Sequence, residues 1–235
     1  MVLTGAGISA ESGVQTFRDA DGLWEGHDVT EVATPEAFER QPELVHRFYD
    51  ERRAQVAGVR PNPAHEALAR LEEWLGDELL VVTQNVDDLH ERAGSRRVLH
   101  MHGRLHSALC RGCHARSPWT GPMSGDPPCP GCGRPELRPD VVWFGEVPHG
   151  MDEIESALLS AELFVSVGTS GAVYPAAGFV QVAGAHGART VELNLEPSAG
   201  TPYFDEARHG PASRVVPEWV EEQLGSHADG RGAPR

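Results

Sequence analysis

Near its start the chain reads Gly5-Ala6-Gly7-Ile8-Ser9-Ala10, a G-x-G-x-x-A loop. Glycines at this spacing let the backbone leave a strand through a tight turn. The helix that follows then directs its unpaired N–H groups outward. The pattern occurs at dinucleotide pyrophosphates and also as a plain strand-to-helix turn, and both settings need a strand before it and a helix after it. Only Met1 to Thr4 precede Gly5, whereas a central strand usually has about five or six residues. The expectation is a short first strand or a natural chain that begins upstream of Met1.

The remaining sequence supplies the alternation that such a turn requires. Strand-like runs at 2–4, 79–83, 98–101, 163–167, 190–193 and 214–216 alternate with helical patterns. That order predicts an α/β fold, a doubly wound, Rossmann-like parallel sheet with helices on both faces. Thr34-Pro35 and Asn62-Pro63 each read as an N-cap followed by proline at the first helical position. The helix after Asn62 carries Ala64, Ala67, Leu68, Leu71 and Leu75 on one face and stops at Gly76. Another is expected over 42–56, with Leu44, Val45 and Phe48 as its apolar side.

The stretch 105–138 breaks the alternation. All four cysteines fall in it, Cys110, Cys113, Cys129 and Cys132, spaced C-x2-C-x15-C-x2-C. Two disulfides are one reading, disfavoured because Gly5 interrupts any secretory-type apolar stretch at the start. Two C-x2-C knuckles, each presenting two thiolates to one side, instead match a tetrahedral zinc site, with Pro128, Pro130, Gly131 and Gly133 supplying the turns. Four sulfur ligands leave no position for water, so such a zinc is structural. His106 and His114 are taken as bystanders. The chain thus divides into a discontinuous sheet domain, 1–104 and 139–224, with a helical part near 35–60. The zinc module, 105–138, is inserted in it, and the Gly- and Ala-rich end, 225–235, is expected to be disordered.

At 235 residues the chain fits one large domain carrying a small insert. A net charge of −15 argues against nucleic acid or an anionic membrane as partner, and leaves a protein substrate with basic segments open. No apolar run approaches about 18–20 residues, so no membrane-spanning helix is expected. The protein is expected to be cytoplasmic.

Polar loops follow the strands. Gln84-Asn85-Val86-Asp87 stands after one, Gly168-Thr169-Ser170 after another and Asn194-Leu195-Glu196 after a third. Open α/β sheets bind ligands beyond the carboxyl ends of their strands, where Asn194 and Glu196 could contact adenosine hydroxyls. No acidic residue ends a strand about 20 residues after the glycines, the place where a dehydrogenase holds its ribose. A polar segment, 16–24, stands there instead.

In order, the chain carries Glu11-Ser12-Gly13-Val14-Gln15-Thr16-Phe17-Arg18, then Thr83-Gln84-Asn85-Val86-Asp87, then His100-Met101-His102-Gly103 and the cysteine pairs. Leu137-Arg138-Pro139-Asp140-Val141-Val142-Trp143-Phe144-Gly145-Glu146 follows, and after it Gly168-Thr169-Ser170 and Asn194-Leu195-Glu196-Pro197. This succession resembles the sirtuin family of NAD-dependent protein deacylases over residues 1–224. The resemblance implies NAD as a consumed co-substrate, one structural Zn2+ per chain, and acyl-lysine proteins or peptides as partners. The sequence is silent on oligomeric state, and a monomer is the expectation. It implies cofactor contacts at Gly5, Ala6, Gly7, Ser9, Ala10, Glu11, Thr16, Phe17, Arg18, Trp24, Gln84, Asn85, Val86, Asp87, Gly168, Thr169, Ser170, Asn194, Leu195, Glu196 and Ala212. Phe17 and Arg18 would shield the reacting centre.

An imidazole has an ordinary pKa of about 6.5 and can take a proton near neutrality. His100 and His102 both qualify on chemistry, and the family motif, a histidine immediately before glycine, selects His102 as catalytic base with Asn85 beside it. By the same resemblance, the acyl-lysine oxygen attacks C1′ of the nicotinamide ribose and nicotinamide leaves. His102 then deprotonates the ribose, its 2′-hydroxyl attacks the imidate, and water releases lysine and O-acyl-ADP-ribose. Val142, Phe144, Gly145 and Glu146 would pair with the substrate backbone as an added strand. The competing reading is an ordinary core strand, with Val141 or Trp143 in the core.

Tyr49 and Arg52, three apart, share one face of the 42–56 helix. A solvated helix face with an aromatic edge is the plain reading. The desuccinylase and demalonylase branch of the family, however, carries a Tyr-x-x-Arg signature at this place. There a guanidinium grips a carboxylate and the phenol adds a hydrogen bond. Ala33 also matches that branch, where a small residue enlarges the acyl pocket. Arg53 lies about 100° around the helix and is not counted. The expectation is a preference for succinyl- or malonyl-lysine with weaker deacetylation. A mono-ADP-ribosyltransferase using the same pocket and a non-catalytic NAD-sensing zinc module are the rivals. His102, Asn85 and Asp87 together argue against the second.

Overall fold

A computed structural model describes residues 1–15, 23–24 and 27–228. Among these the strands are, in chain order, β1 (Val2–Thr4), β2 (Leu23–Trp24), β3 (His27–Asp28), β4 (Val81–Thr83), β5 (Val98–His100) and β6 (Gly103–Cys110). β7 (Arg116–Pro118), β8 (Leu137–Val141), β9 (Leu163–Val167), β10 (Arg189–Asn194) and β11 (Glu206–His209) complete the set.

Successive strand residues point to opposite faces, and here both faces are apolar. Val2, Val81, Val165, Val191 and Leu193 look one way, onto helices Pro63–Leu75 and Ala212–Ala228. Leu3, Val82 and Phe164 look the other way, onto helices Met151–Ser160 and Phe179–Ala185. Strands buried on both sides belong in a parallel sheet. Six of them form one, in the order β11-β10-β9-β1-β4-β5, with every pairing parallel. This is the doubly wound sheet expected from the sequence. Its order reverses between β1 and β9, which opens a crevice beyond the carboxyl ends of those two strands.

The insert is a three-stranded antiparallel sheet, β7-β6-β8, closed by a small core of Ala108, Cys110, Met123, Cys129 and Leu137. Its strands extend beyond 105–138 at both ends. β6 therefore starts one residue after His102, and β8 ends one residue before Val142. Helices Pro35–Arg40 and Pro42–Gly58 pack Phe38, Val45, Phe48 and Tyr49 against Leu105, Val141 and Trp143, joining the helical part to the insert. Thr34 and Asn62 cap their helices as expected, accepting from the N–H groups of Ala37 and Ala64.

Two expectations are corrected. The run 214–216 is no strand but part of helix Ala212–Ala228. Its adjacent valines mimic a β pattern, yet burial of Val215, Val216, Trp219 and Val220 follows the three-to-four spacing of a helix. The true last strand, β11, alternates half-buried and exposed residues at the sheet edge, too polar to stand out. The final helix also continues to Ala228, past the expected start of the tail at 225; residues 229–235 lie outside the described ones. No helix among the described residues is long and apolar enough to cross a membrane.

Candidate active site

The glycine loop and the loop after β9 meet backbone to backbone at the crevice. Gly5 N–H donates to the Val167 carbonyl and Gly7 N–H to that of Gly168, each at 2.9 Å. A Cβ on Gly7 would stand 2.8 Å from Gly168 Cα. One on Gly168, whose φ is +61°, would stand 2.4 Å from the Ile8 nitrogen. Both glycines are therefore dictated by the close approach. Gly168→Ala is expected to cost about 3 kcal/mol from overpacking and positive φ. In a chain of this size that lowers Tm by roughly 6–12 °C. A melt unchanged from wild type would show that the two loops do not touch.

A cavity of about 700 Å³ opens over this junction. Its walls bring together Gly5, Ala6, Gly7, Ser9, Ala10 and Glu11 from the first loop and Gln84, Asn85, Val86 and Asp87 after β4. Gly168, Thr169 and Ser170 follow β9, Asn194 and Leu195 close β10, and Ala212 opens the last helix. His102, Ala33, Tyr49, Arg52, Val142, Phe144, Gly145 and Glu146 line it too. Glu196 does not; it is exposed in the turn after β10. Thr16, Phe17 and Arg18 lie outside the described residues, and Trp24 is described only as backbone paired in β2. Sequence reasoning missed Gln15, Gln55, Tyr174 and Pro211 on the same walls. Gln15 stands inside the quoted run 11–18, whereas no motif marks the other three, which enter through the packing of separate elements.

A buried polar network forms the floor. Ser9 Oγ donates to Asp87 Oδ2 at 3.0 Å and accepts from Asn85 Nδ2 at 3.1 Å. His65 Nδ1 accepts from the Asn62 N–H at 3.3 Å, so its Nε2 carries the proton and faces Ser9 Oγ at 3.4 Å. Burial drives the His65 pKa down to about 4, which keeps this ring neutral. Asp87 is nearly inaccessible, and burial lifts its carboxyl above the usual range despite hydrogen bonds from Leu89 N–H and Ser9. The Asn62 amide adds bonds to the Ile8 carbonyl and Ser12 hydroxyl at 2.7 and 3.0 Å, tying the next helix to the glycine loop. Its proline-linked N-cap was legible in the sequence; this second use was not.

The two candidate histidines separate because β5 ends at His100, so strand alternation does not carry through to His102. His100 is buried with both nitrogens facing acceptors, the Asn85 carbonyl at 3.0 Å and Glu91 Oε1 at 2.8 Å. It borders a second cavity behind the 84–88 loop, where Arg92, Arg104 and His106 are matched by Asp88 and Glu91. His102 lines the first cavity, and its Nδ1 lies 3.1 Å from the Gln84 carbonyl. A carbonyl only accepts, so Nδ1 carries the proton and Nε2 the lone pair. Burial, with a smaller push from His149, lowers the His102 pKa below its ordinary value, opposed by the Gln84 bond. At neutral pH the ring is therefore an unprotonated base.

Tyr49 is completely buried and its oxygen accepts from Trp143 Nε1–H at 2.9 Å. The Arg52 side chain is 13% exposed, with its guanidinium 4.3 Å from the Phe48 ring centroid and 3.6 Å from Glu51. This is a cavity wall, not a solvated helix face. Arg53, as expected, points elsewhere, donating to the Leu105 carbonyl at 3.1 Å and pairing with Asp50. In the segment 142–146, Val142 N–H donates to the His102 carbonyl and Phe144 N–H to that of Ala33. Trp143 and Val141 belong to the core, and the Glu146 carboxylate is taken up by Arg138 at 2.6 and 3.0 Å.

The four cysteine sulfurs lie within 4.8 Å of one another, and none forms a disulfide. Cys110 and Cys132 are 3.7 Å apart, Cys113 and Cys129 3.8 Å. A tetrahedron with Zn–S bonds of about 2.3 Å has edges of about 3.8 Å, so the cluster fits a structural zinc. Gly131 N–H donates to Cys129 Sγ at 3.3 Å, as expected around a thiolate.

Residues 5–175 match the Sir2 family. An NAD-dependent protein deacylase of Caulobacter vibrioides is 60% identical over 227 residues, covering 95% of both chains. The crystal structure of a Sir2 homolog–NAD complex superposes with a TM-score of 0.88 at 40% identity, over 96% of this chain and 89% of that one. A Sir2 protein bound to a myristoylated histone peptide gives a TM-score of 0.75 at 36% identity, over 96% and 92%. The fold and the crevice define an α/β enzyme of the dinucleotide-binding class. Within that class, the chain belongs to the Sir2 family.

Proposed function

We propose that this NAD-dependent protein deacylase acts preferentially on lysines bearing a carboxylate-terminated acyl group, succinyl or malonyl, and more weakly on acetyl-lysine. The observation that carries the preference is the placement of Tyr49 and Arg52 side by side on the wall of the cavity that also holds His102. Arg52 offers a planar fork for a carboxylate and Tyr49 a phenol at its side. Ala33, at the same wall, leaves room for the longer chain.

NAD, when bound, supplies the electrophilic ribose carbon that accepts the acyl oxygen. The chain's part is to hold and to move protons. The Gly5 and Gly168 loops form the phosphate cradle, Asn194 and Leu195 flank the adenosine end, and Asn85 with Asp87 orders the ribose end through Ser9. Thr16, Phe17, Arg18 and Trp24 complete the set of cofactor contacts that the family resemblance implies. His102 takes a proton at Nε2, with Nδ1 anchored on Gln84. Val142, Phe144 and Gly145 border the peptide path. The four cysteines carry a structural zinc, and thiols kept free of disulfides agree with a reducing compartment such as the cytoplasm.

Succinyl- and acetyl-lysine peptides, assayed with NAD by mass spectrometry, test the preference. Wild type is expected to favour succinyl-lysine, and Arg52→Met to lower the succinyl-to-acetyl ratio of kcat/KM about 10- to 100-fold, the span of a charge-assisted hydrogen bond. A wild type that favours acetyl-lysine, or a ratio untouched by Arg52→Met, refutes it.

A further inference from the structure

On the wall of the cavity, which Trp143 and Tyr49 both line, one hydrogen bond sets the polarity of Tyr49. Trp143 and Tyr49 are 2% and 0% exposed, and the indole Nε1–H donates to the phenol oxygen at 2.9 Å. A phenol can both donate and accept. Once its oxygen accepts from the indole, its own proton turns away from that N–H, and the phenol meets a further partner as a donor. Burial raises the Tyr49 pKa, so the proton stays on.

The indole is itself held in place. The Arg138 guanidinium stacks 3.4 Å from the Trp143 ring centroid. That guanidinium forks onto Glu146 and donates to the Val141 carbonyl at 2.8 Å. Glu146 in turn accepts from the Trp143 backbone N–H at 2.8 Å. Ring and backbone of Trp143 are thus clamped by a single ion pair, which leaves the indole N–H little freedom of direction.

We propose that Trp143 is a positioning residue for acyl recognition, its indole N–H holding the Tyr49 hydroxyl as a donor toward a carboxylate-terminated acyl chain. The inference rests on the Tyr49 and Arg52 reading above. A carboxylate only accepts, so a fixed phenol donor beside a guanidinium complements it, whereas an acetyl methyl has no use for either. Trp143 acts here through Tyr49, which separates it from residues that grip the acyl group directly.

The test compares wild type, Trp143→Phe, Tyr49→Phe and the double variant on succinyl- and acetyl-lysine peptides with NAD. Phenylalanine keeps a ring for Arg138 to stack on and removes only the donor. Because the succinyl-to-acetyl ratio of kcat/KM does not depend on the fraction folded, partial destabilisation does not confound it. Trp143→Phe is expected to lower the ratio about three- to tenfold, through KM, the span of one neutral hydrogen bond. In the Tyr49→Phe background it should change the ratio no further. An unchanged ratio in Trp143→Phe, while Arg52→Met lowers it, overturns the positioning role and leaves the acyl preference standing. A second, equal drop in the double variant also overturns it, since Trp143 would then act by packing. A ratio insensitive to Arg52→Met removes the acyl preference itself, and the inference with it.

Discussion

His102→Ala is expected to lower kcat/KM for deacylation by about 10²–10⁴, the contribution of a positioned general base. The expectation rests on tautomer as much as on place. The Gln84 carbonyl fixes the proton on Nδ1, so a basic nitrogen is present in every neutral molecule. Burial, the larger cause of the lowered pKa, extends that neutral population to lower pH. With His102 as the proposed base, activity would need the deprotonated ring, so kcat/KM is expected to rise with pH through the His102 pKa. The acid limb should therefore lie below pH 6.5, the ordinary histidine value. A limb centred above neutrality would falsify the assignment, as would a His102→Ala variant that keeps wild-type turnover. His100→Ala is the informative control. Both of its nitrogens are committed to Asn85 and Glu91, so its loss should register in Tm, through a broken buried pair, before it registers in the pH profile.

The separation of these two histidines shows what the sequence could and could not carry. Residues two apart share a face only while a strand lasts, and nothing local in His100-Met101-His102-Gly103 states that β5 stops at His100. Parallel strands were readable because burial on both faces leaves near-continuous apolar runs, as at 163–167. The polar edge strand β11 and the valine-rich start of the last helix were misread for the complementary reason: edge strands lack apolar runs, and β-branched pairs imitate them. Motif residues of the crevice were legible because the chemistry of close backbone approach leaves glycine few substitutes. His65, Asn62 and Trp143 support their partners through contacts that span 50 to 94 positions, as between Tyr49 and Trp143. Pairings at that separation leave no local trace.

Loss of the zinc should abolish activity although no zinc ligand borders the cavity. Cys129→Ala is expected to lower bound zinc from one per chain to a small fraction, measured by mass spectrometry of the metal, and to lower kcat/KM more than tenfold. A structural zinc is worth about 10–16 kcal/mol of apparent binding energy in isolated fingers, far more than the small core of Ala108, Met123 and Leu137 can supply by burial. The path to the cavity is short and covalent. β6 begins at Gly103, immediately after His102, and β8 ends at Val141, immediately before the 142–146 segment. The pairing Gly103↔Val141 and the bond from Val142 N–H to the His102 carbonyl at 2.9 Å hold these two segments together. Gly103 has φ of +83°, and a Cβ there would stand 2.1 Å from the Asp140 carbonyl oxygen, so the two strands have no slack at this point. The ladder shifts register between Gly103 and Ala108, so the two ends communicate through the shared strands β6 and β8, and opening the cysteine end is expected to loosen the active-site end and the hold of Gln84 on His102. The six-stranded sheet takes no strand from the insert, so it should retain its far-ultraviolet circular dichroism while activity is lost. Full activity in a zinc-free chain would show that Val141, Val142 and Gln84 hold the His102 segment without the metal.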